Sequence, residues 1–376
     1  MPVLLHLIKG NHPRFIPYEI MGEELEVLAL WLERHRNSSG FTFLARPNTS
    51  FQNMLQPKGS PTVVAAVKDT HNGQFAGVGI ISKKKVFING SIRQIAYVSE
   101  LFIQEKYRNK SVFGLLFRIL FHYTKDCTGY LSTVMEDNNH LFELLLQKRR
   151  GMIQYRDLGQ LKTMVITPQA INVPAPTKGI KTMTATVSDL DALLHFRAQQ
   201  AGRHTFLPFY TKEDITNSSG ILRDLCTEDI LLAKRGHEIV GCVAIWDQSY
   251  IKTWVPDNYP FWLNLVRPAL NLFLKIKGSP TLPKAGEPVS YLILSMLTIR
   301  EDDINIFRAL LQRIKERTTA PGTKGQLLVL MMHQKNPLLS GIDFTHYTIK
   351  SRLIFAANGE DISVDHGIPY VELGAL

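Results

Sequence analysis

The feature that most constrains this chain is a set of landmarks that recurs at a fixed distance. Ile103 closes an apolar run, Ile95 to Ile103, and Ile299, 196 positions later, closes a second, Ser290 to Ile299. Gly129 and Gly325, again 196 apart, precede two more apolar runs, Tyr130 to Met135 and Gln326 to Met332. Each pair of runs brackets a segment with helical character. Ser111 to Thr124 is apolar nearly all round, which predicts a helix with little exposed face. Ile304, Phe307, Leu310, Leu311 and Ile314 recur at helical spacing behind Asp302 or Asp303, either of which suits a helix cap. Upstream, Thr62 to Val67, the turn signal Asn72-Gly73 and Phe75 to Ser82 predict a hairpin. Asp229 to Lys234, Gly236-His237 and Ile239 to Trp246 predict its counterpart. From Gly77 to Gly241 the offset is 164, so the second half carries 32 additional residues, placed near 248–288 around Trp254 to Lys277. From Asn138 to Asn336 the offset drifts to 198, as loops allow.

These runs predict an α/β (α+β) protein made of two copies of one unit, each a mixed, mostly antiparallel sheet flanked by helices. Pro168, Pro174 and Pro176 mark the linker, giving expected units at 1–170 and 181–376 joined by 171–180. A chain of 376 residues is long enough for two cores, and 45% hydrophobic with 20% charged residues is a globular composition. Cys127, Cys226 and Cys242 are too few and too scattered for a disulfide framework or a zinc site, which predicts reduced thiols in the cytoplasm. The start, Met1 to Lys9, lacks a basic region and a small-residue cleavage site, so no signal peptide is expected. No apolar run approaches the roughly 20 residues needed to cross a bilayer, so no membrane partner is expected.

The net charge is +10, with basic knots at Lys83 to Lys85, Lys106 to Lys110 and Lys148 to Arg150. Such knots fit a polyanionic cofactor, an acidic substrate, a nucleic-acid surface or simply solvated faces. No nucleic-acid motif accompanies them, which leaves nucleic acid as the weaker alternative.

Chemistry concentrates in Ile95 to Gly114, where a strand runs through a basic turn straight into an apolar helix. Unpaired N–H groups at a helix start, with Arg108 and Lys110 beside them, suit a pyrophosphate. This stretch resembles the GNAT superfamily of acyl-CoA-dependent N-acyltransferases. Tyr107 to Phe113 sits where that family has its Arg-x-x-Gly-x-Gly/Ala loop. Glu100-Leu101-Phe102-Ile103 resembles its splayed central strand, and Met135 to Tyr155 resembles its Asn-containing turn, helix, glycine and final strand. The resemblance implies acetyl-CoA or another acyl-CoA as co-substrate, with no metal. It would lie along Leu101, Phe102, Ile103, Arg108, Asn109, Lys110, Ser111, Val112, Phe113 and Gly114, with Asn138 reaching the pantetheine. Ser111 and Phe113 depart from the family's small residues, and Asn138 reads equally well as a helix cap. In the second half, Thr298 to Asp303 places carboxylates at the equivalent helix start, which would repel a pyrophosphate, so no CoA is expected there.

Glu100 is the candidate base, an acid in an apolar strand beside the expected thioester. Strand alternation sets Ser99 on the opposite face, and some family members carry the acid at the position resembling Ser99. A salt-bridged structural role for Glu100 is the equal alternative. Gln147 occupies the place of the family's usual tyrosine acid, leaving Tyr155 or His140 as substitutes. His204, His333 and His346 lack metal spacing. The expected activity is transfer of an acyl group, acetyl foremost, to the amine of an unidentified acceptor in a ternary complex, with the acceptor in the cleft between halves. A homodimer is open. The competing expectation is a non-catalytic acyl-CoA-binding or scaffolding protein.

Overall fold

The computed structural model describes residues 14–35, 42–108, 110–147, 153–174, 179–217, 220–259, 261–276, 281–320, 326–359, 362–364 and 366–376. Asn109, Gly325, the Lys148 to Arg150 knot, the Met1 to Lys9 start and part of the linker lie outside these residues. The strands before the linker are β1 (Phe15–Ile20), β2 (Thr42–Pro47), β3 (Thr62–Asp69), β4 (Phe75–Ile88), β5 (Ser91–Ile103), β6 (Gly129–Met135) and β7 (Arg156–Ile166). After it come β8 (Ile180–Thr184), β9 (His204–Thr205), β10 (Leu207–Pro208), β11 (Ile230–Arg235), β12 (Glu238–Trp246) and β13 (Lys252–Asn258). The last four are β14 (Tyr291–Ile299), β15 (Leu327–His333), β16 (Tyr347–Ala357) and β17 (Ile368–Pro369).

Where two separate sheets were expected, a single mixed, mostly antiparallel sheet of 13 strands runs through both halves. Its order is β1-β3-β4-β5-β6-β16-β7-β15-β14-β12-β11-β8, with β10 alongside β4. The cause lies at the seam. β16 pairs with β6 on one side and β7 on the other, while β7 pairs with β16 and β15. Each half therefore receives the other's last strand, and neither β6 nor β15 is left with an unpaired edge.

Helices cover the sheet where the apolar periodicity placed them. Val112–Tyr123 packs on β1, β3 and β4, burying Val112, Leu115, Leu116, Ile119 and Leu120. Ile304–Thr318 packs on β8, β11 and β12 through Ile306, Phe307, Leu310, Leu311 and Ile314. Both helices come close to the sheet at a glycine. A Cβ on Gly77 would meet Val112 at 2.8 Å, and one on Gly241 would meet Ile306 at 2.7 Å. The 248–288 region forms β13, which pairs with β2, and the helix Phe261–Ile276.

Two further details recur along the chain. The β4–β5 ladder shifts register between Val78 and Ile80, and the β12–β14 ladder between Cys242 and Ala244. Glu100 and Met296 stand opposite these shifts with left-handed backbones, φ 53° and 55°. Such bulges add one residue and turn the strand.

Candidate active site

Each bulge lies at the mouth of a fork. β5 pairs in parallel with β6 from Ala96 to Val98, and β14 with β15 from Tyr291 to Ile293. Beyond these residues the partners part. At the first fork the Ser132 hydroxyl donates to the Val98 carbonyl at 2.8 Å, closing the crotch. Past it, the free run of β5 is Ser99 to Ile103, with Ser99 Oγ buried and unpartnered.

The bulge changes which side chains face the helix. Ala96 and Val98 join the core under Val112–Tyr123, and beyond Glu100 that role passes to Leu101 and Ile103. Ile95 and Tyr97 face the other side, and Phe102 sets its ring edge against Trp31 at 5.5 Å. Simple alternation through Glu100 does not hold, because the left-handed residue resets the parity. Glu100 itself reaches Lys58 at 3.9 Å, and Lys58 is buried. This matches the salt-bridged alternative while leaving the carboxylate at the fork.

The basic loop beyond Ile103 is pinned from beneath. Tyr107 is buried against the Phe15 ring and accepts from Asn72 Nδ2 at 3.0 Å. Lys106 and Lys110 lie over its ring at 4.9 and 5.4 Å. Arg108 is half exposed, with its nearest carboxylate, Glu105, 4.0 Å away. Ser111 stands at the N-cap of Val112–Tyr123, yet no side chain caps that helix. Val112 is buried, the Phe113 ring lies 4.5 Å from that of Phe117 at a 40° tilt against the core, and Gly114 faces open space. A cation-rich turn and an uncapped helix start thus meet at one end of the fork, a fit for a pyrophosphate. Asn138 caps Asn139–Leu146, its Oδ1 accepting from Leu141 N at 3.3 Å.

Tyr155 lies elsewhere. It is buried in the core with Tyr130, level with the closed end of the fork, and desolvation pushes its hydroxyl pKa upward. Packing holds this side chain in the core. His140 is exposed on the Asn139–Leu146 helix.

On the face of β5 away from Val112–Tyr123 lies a cleft of about 260 Å³, lined in part by Lys84, Tyr97, Phe209, Tyr210, Asp214 and Glu372. It joins the two halves and includes residues that the sequence did not single out as a site. Lys84 donates to the Ala375 carbonyl at 2.6 Å, and its ammonium sits 4.3 Å from the Tyr97 ring centre. Desolvation pushes its pKa down to about 7, against the pull of Glu372. Desolvation likewise lowers Lys252, which donates to the Leu376 main-chain oxygen, to about 8. The first lysine knot is therefore part of a cleft wall.

The second fork is filled. Glu372 accepts from the Met296 N–H at 2.9 Å, and Arg197 donates to the Met296 carbonyl at 2.6 Å. The tail bearing Glu372 fits because Gly374 has no Cβ to strike the Trp246 ring. At the helix start beyond, Asp303 caps through Asn305 N at 2.8 Å, and buried Asp302 binds Arg203 and His204, both at 3.2 Å. Glu301 and Asp302 both have left-handed backbones. The small cavity beside them is about 10 Å³, room for no more than a water. Among the described residues no group of three or more His, Cys, Asp or Glu side chains is placed to hold a metal.

No protein-family model and no curated protein sequence matches this chain. Solved structures do. A GCN5-related N-acetyltransferase from Sphaerobacter thermophilus matches with TM-score 0.53 and 12% identity, over 97% of this chain and 99% of that one. The Saccharomyces cerevisiae N-myristoyltransferase, solved with bound myristoyl-CoA, matches with TM-score 0.55 and 11% identity, over 96% and 90%. A GCN5-related glucosamine N-acetyltransferase region of a fungal multi-domain β-N-acetylglucosaminidase matches with TM-score 0.57 and 12% identity, over 91% of this chain and 38% of that one. At such identities the likeness concerns the backbone alone, and on that ground this chain has the fold of the GNAT superfamily.

Proposed function

We propose that this protein transfers an acyl group from acyl-CoA, acetyl-CoA being the first donor to try, to the amine of an acceptor in a ternary complex. The observation that carries this reading is the uncapped helix start at Ser111, set beside Arg108 and Lys110 at the open end of a parted strand pair. In this reading the pyrophosphate binds at that start, and the pantetheine runs along Leu101 to Ile103. The acceptor enters from the cleft on the other face of β5. The amine nitrogen bonds to the thioester carbon, the carbon–sulfur bond breaks, and CoA leaves as its thiolate, which takes a proton from solvent to become the thiol. Glu100 takes the amine proton, and Ser99 Oγ offers a hydrogen bond to the departing sulfur. The two halves we read as copies of one unit that exchange last strands, supported by the matched bulges at Glu100 and Met296.

A second reading, acyl-CoA binding without turnover, is favoured by Gln147 at the family's acid position and by the burial of Tyr155. Thiol release from acetyl-CoA across an amine panel separates the two. Transfer predicts release that Glu100→Gln slows by roughly 100-fold, with the KM for acetyl-CoA little changed. Saturable acetyl-CoA binding with no release for any amine supports binding without turnover.

A further inference from the structure

The helix Phe261–Ile276 is apolar on more than the face it packs. Its half-buried face carries Leu263, Leu270 and Leu274 together with Arg267 and Asn271, which hydrogen-bond the segment that follows. Arg267 donates to the Pro283 carbonyl, and Asn271 exchanges two bonds with Leu282, all at 2.8 Å. The opposite face is apolar and exposed, with Phe261, Trp262, Leu265, Val266, Leu272 and Ile276 each between 47% and 79% accessible. A core-facing helix places these residues inward. Residues 261–284 contain Arg267, Lys275, Lys277 and Lys284 and no Asp or Glu, while Glu287 just beyond pairs with Lys284 at 3.8 Å. At 16 residues the helix is too short to span a bilayer, and among the described residues no helix is long and apolar enough to do so.

We propose that this helix docks the protein on an anionic lipid surface, lying in the interface plane with its apolar face sunk among the acyl chains. An exposed apolar face containing Trp and Phe, on a segment of net charge +4, matches the chemistry of an interfacial helix. The same charge argues against a second copy as the occupant, because a two-fold contact would bring two cationic segments together. The proposal departs from the sequence expectation of no membrane partner and is independent of the acyl-transfer reading.

Co-sedimentation of the full chain with vesicles tests it, using phosphatidylcholine alone and phosphatidylcholine with a quarter phosphatidylglycerol. Wild type sediments with the anionic vesicles, less so at high salt. A Leu265→Gln, Val266→Gln, Leu272→Gln variant loses at least about tenfold in partitioning. A circular-dichroism melt matching wild type shows that this variant is folded. Wild type left in the supernatant with both vesicles overturns the proposal, as does a folded variant that sediments like wild type. A wild-type dimer that the variant dissociates, with no vesicle binding, assigns the face to a second copy and overturns it equally.

Discussion

At the fork between β5 and β6, the chain beyond the bulge leads to a helix that no side chain caps, flanked by Arg108 and Lys110. At the fork between β14 and β15, the bulge amide is held by Glu372 and the helix start is closed by Asp303. The strands, the bulges and the close-approach glycines correspond, whereas the groups at the two helix starts and bulges differ. A buried N–H needs an acceptor, and at the second fork the protein itself supplies it.

That comparison can be broken by experiment. The largest stability effect is expected for Glu372→Ala, which leaves the buried Met296 N–H without its acceptor and should cost about 1–3 kcal/mol in denaturant unfolding. It should not create a second CoA site, since the acidic helix start remains. The pH dependence of stability probes Lys84, which bonds the same tail at Ala375. Its pKa is lowered from 10.5 to about 7 on folding, so the unfolded chain binds more protons between those values, and stability should rise with pH across that window. Lys84→Met should flatten the rise and stabilise the protein most at and below neutral pH. A smaller effect distinguishes the two helix starts. Asp303→Ala removes a cap and should cost about 1 kcal/mol, while Ser111→Ala removes none and should stay within about 0.5 kcal/mol of wild type. Equal losses at both would mean that the first helix is capped after all.

Much of the fold was legible because local periodicity reports local structure. The predicted helix over 111–124 is found at Val112–Tyr123, and the predicted strand over 95–103 lies within Ser91–Ile103. A cap at Asp302 or Asp303 was readable too, and the structure uses Asp303. The exchange of β7 and β16 was not, since an alternating strand looks the same whichever neighbour it joins. Glu372 escaped notice because its partner, Met296, is 76 residues away. Lys84 was hidden in a run of three lysines that reads as solvated charge. Around Glu100 the strand rule misled, because one left-handed residue resets which side chains share a face. Tyr155 was chosen by its residue type, and its burial could not be seen from the sequence.

The most direct test of the account is calorimetric titration of the purified chain with CoA and acetyl-CoA, alongside an Arg108→Ala, Lys110→Ala variant. The account predicts one site per chain, weakened about thirtyfold in the variant if each cation contributes about 1 kcal/mol. Two sites per chain, or one site that the variant leaves unchanged, would contradict the assignment of the coenzyme to the first fork.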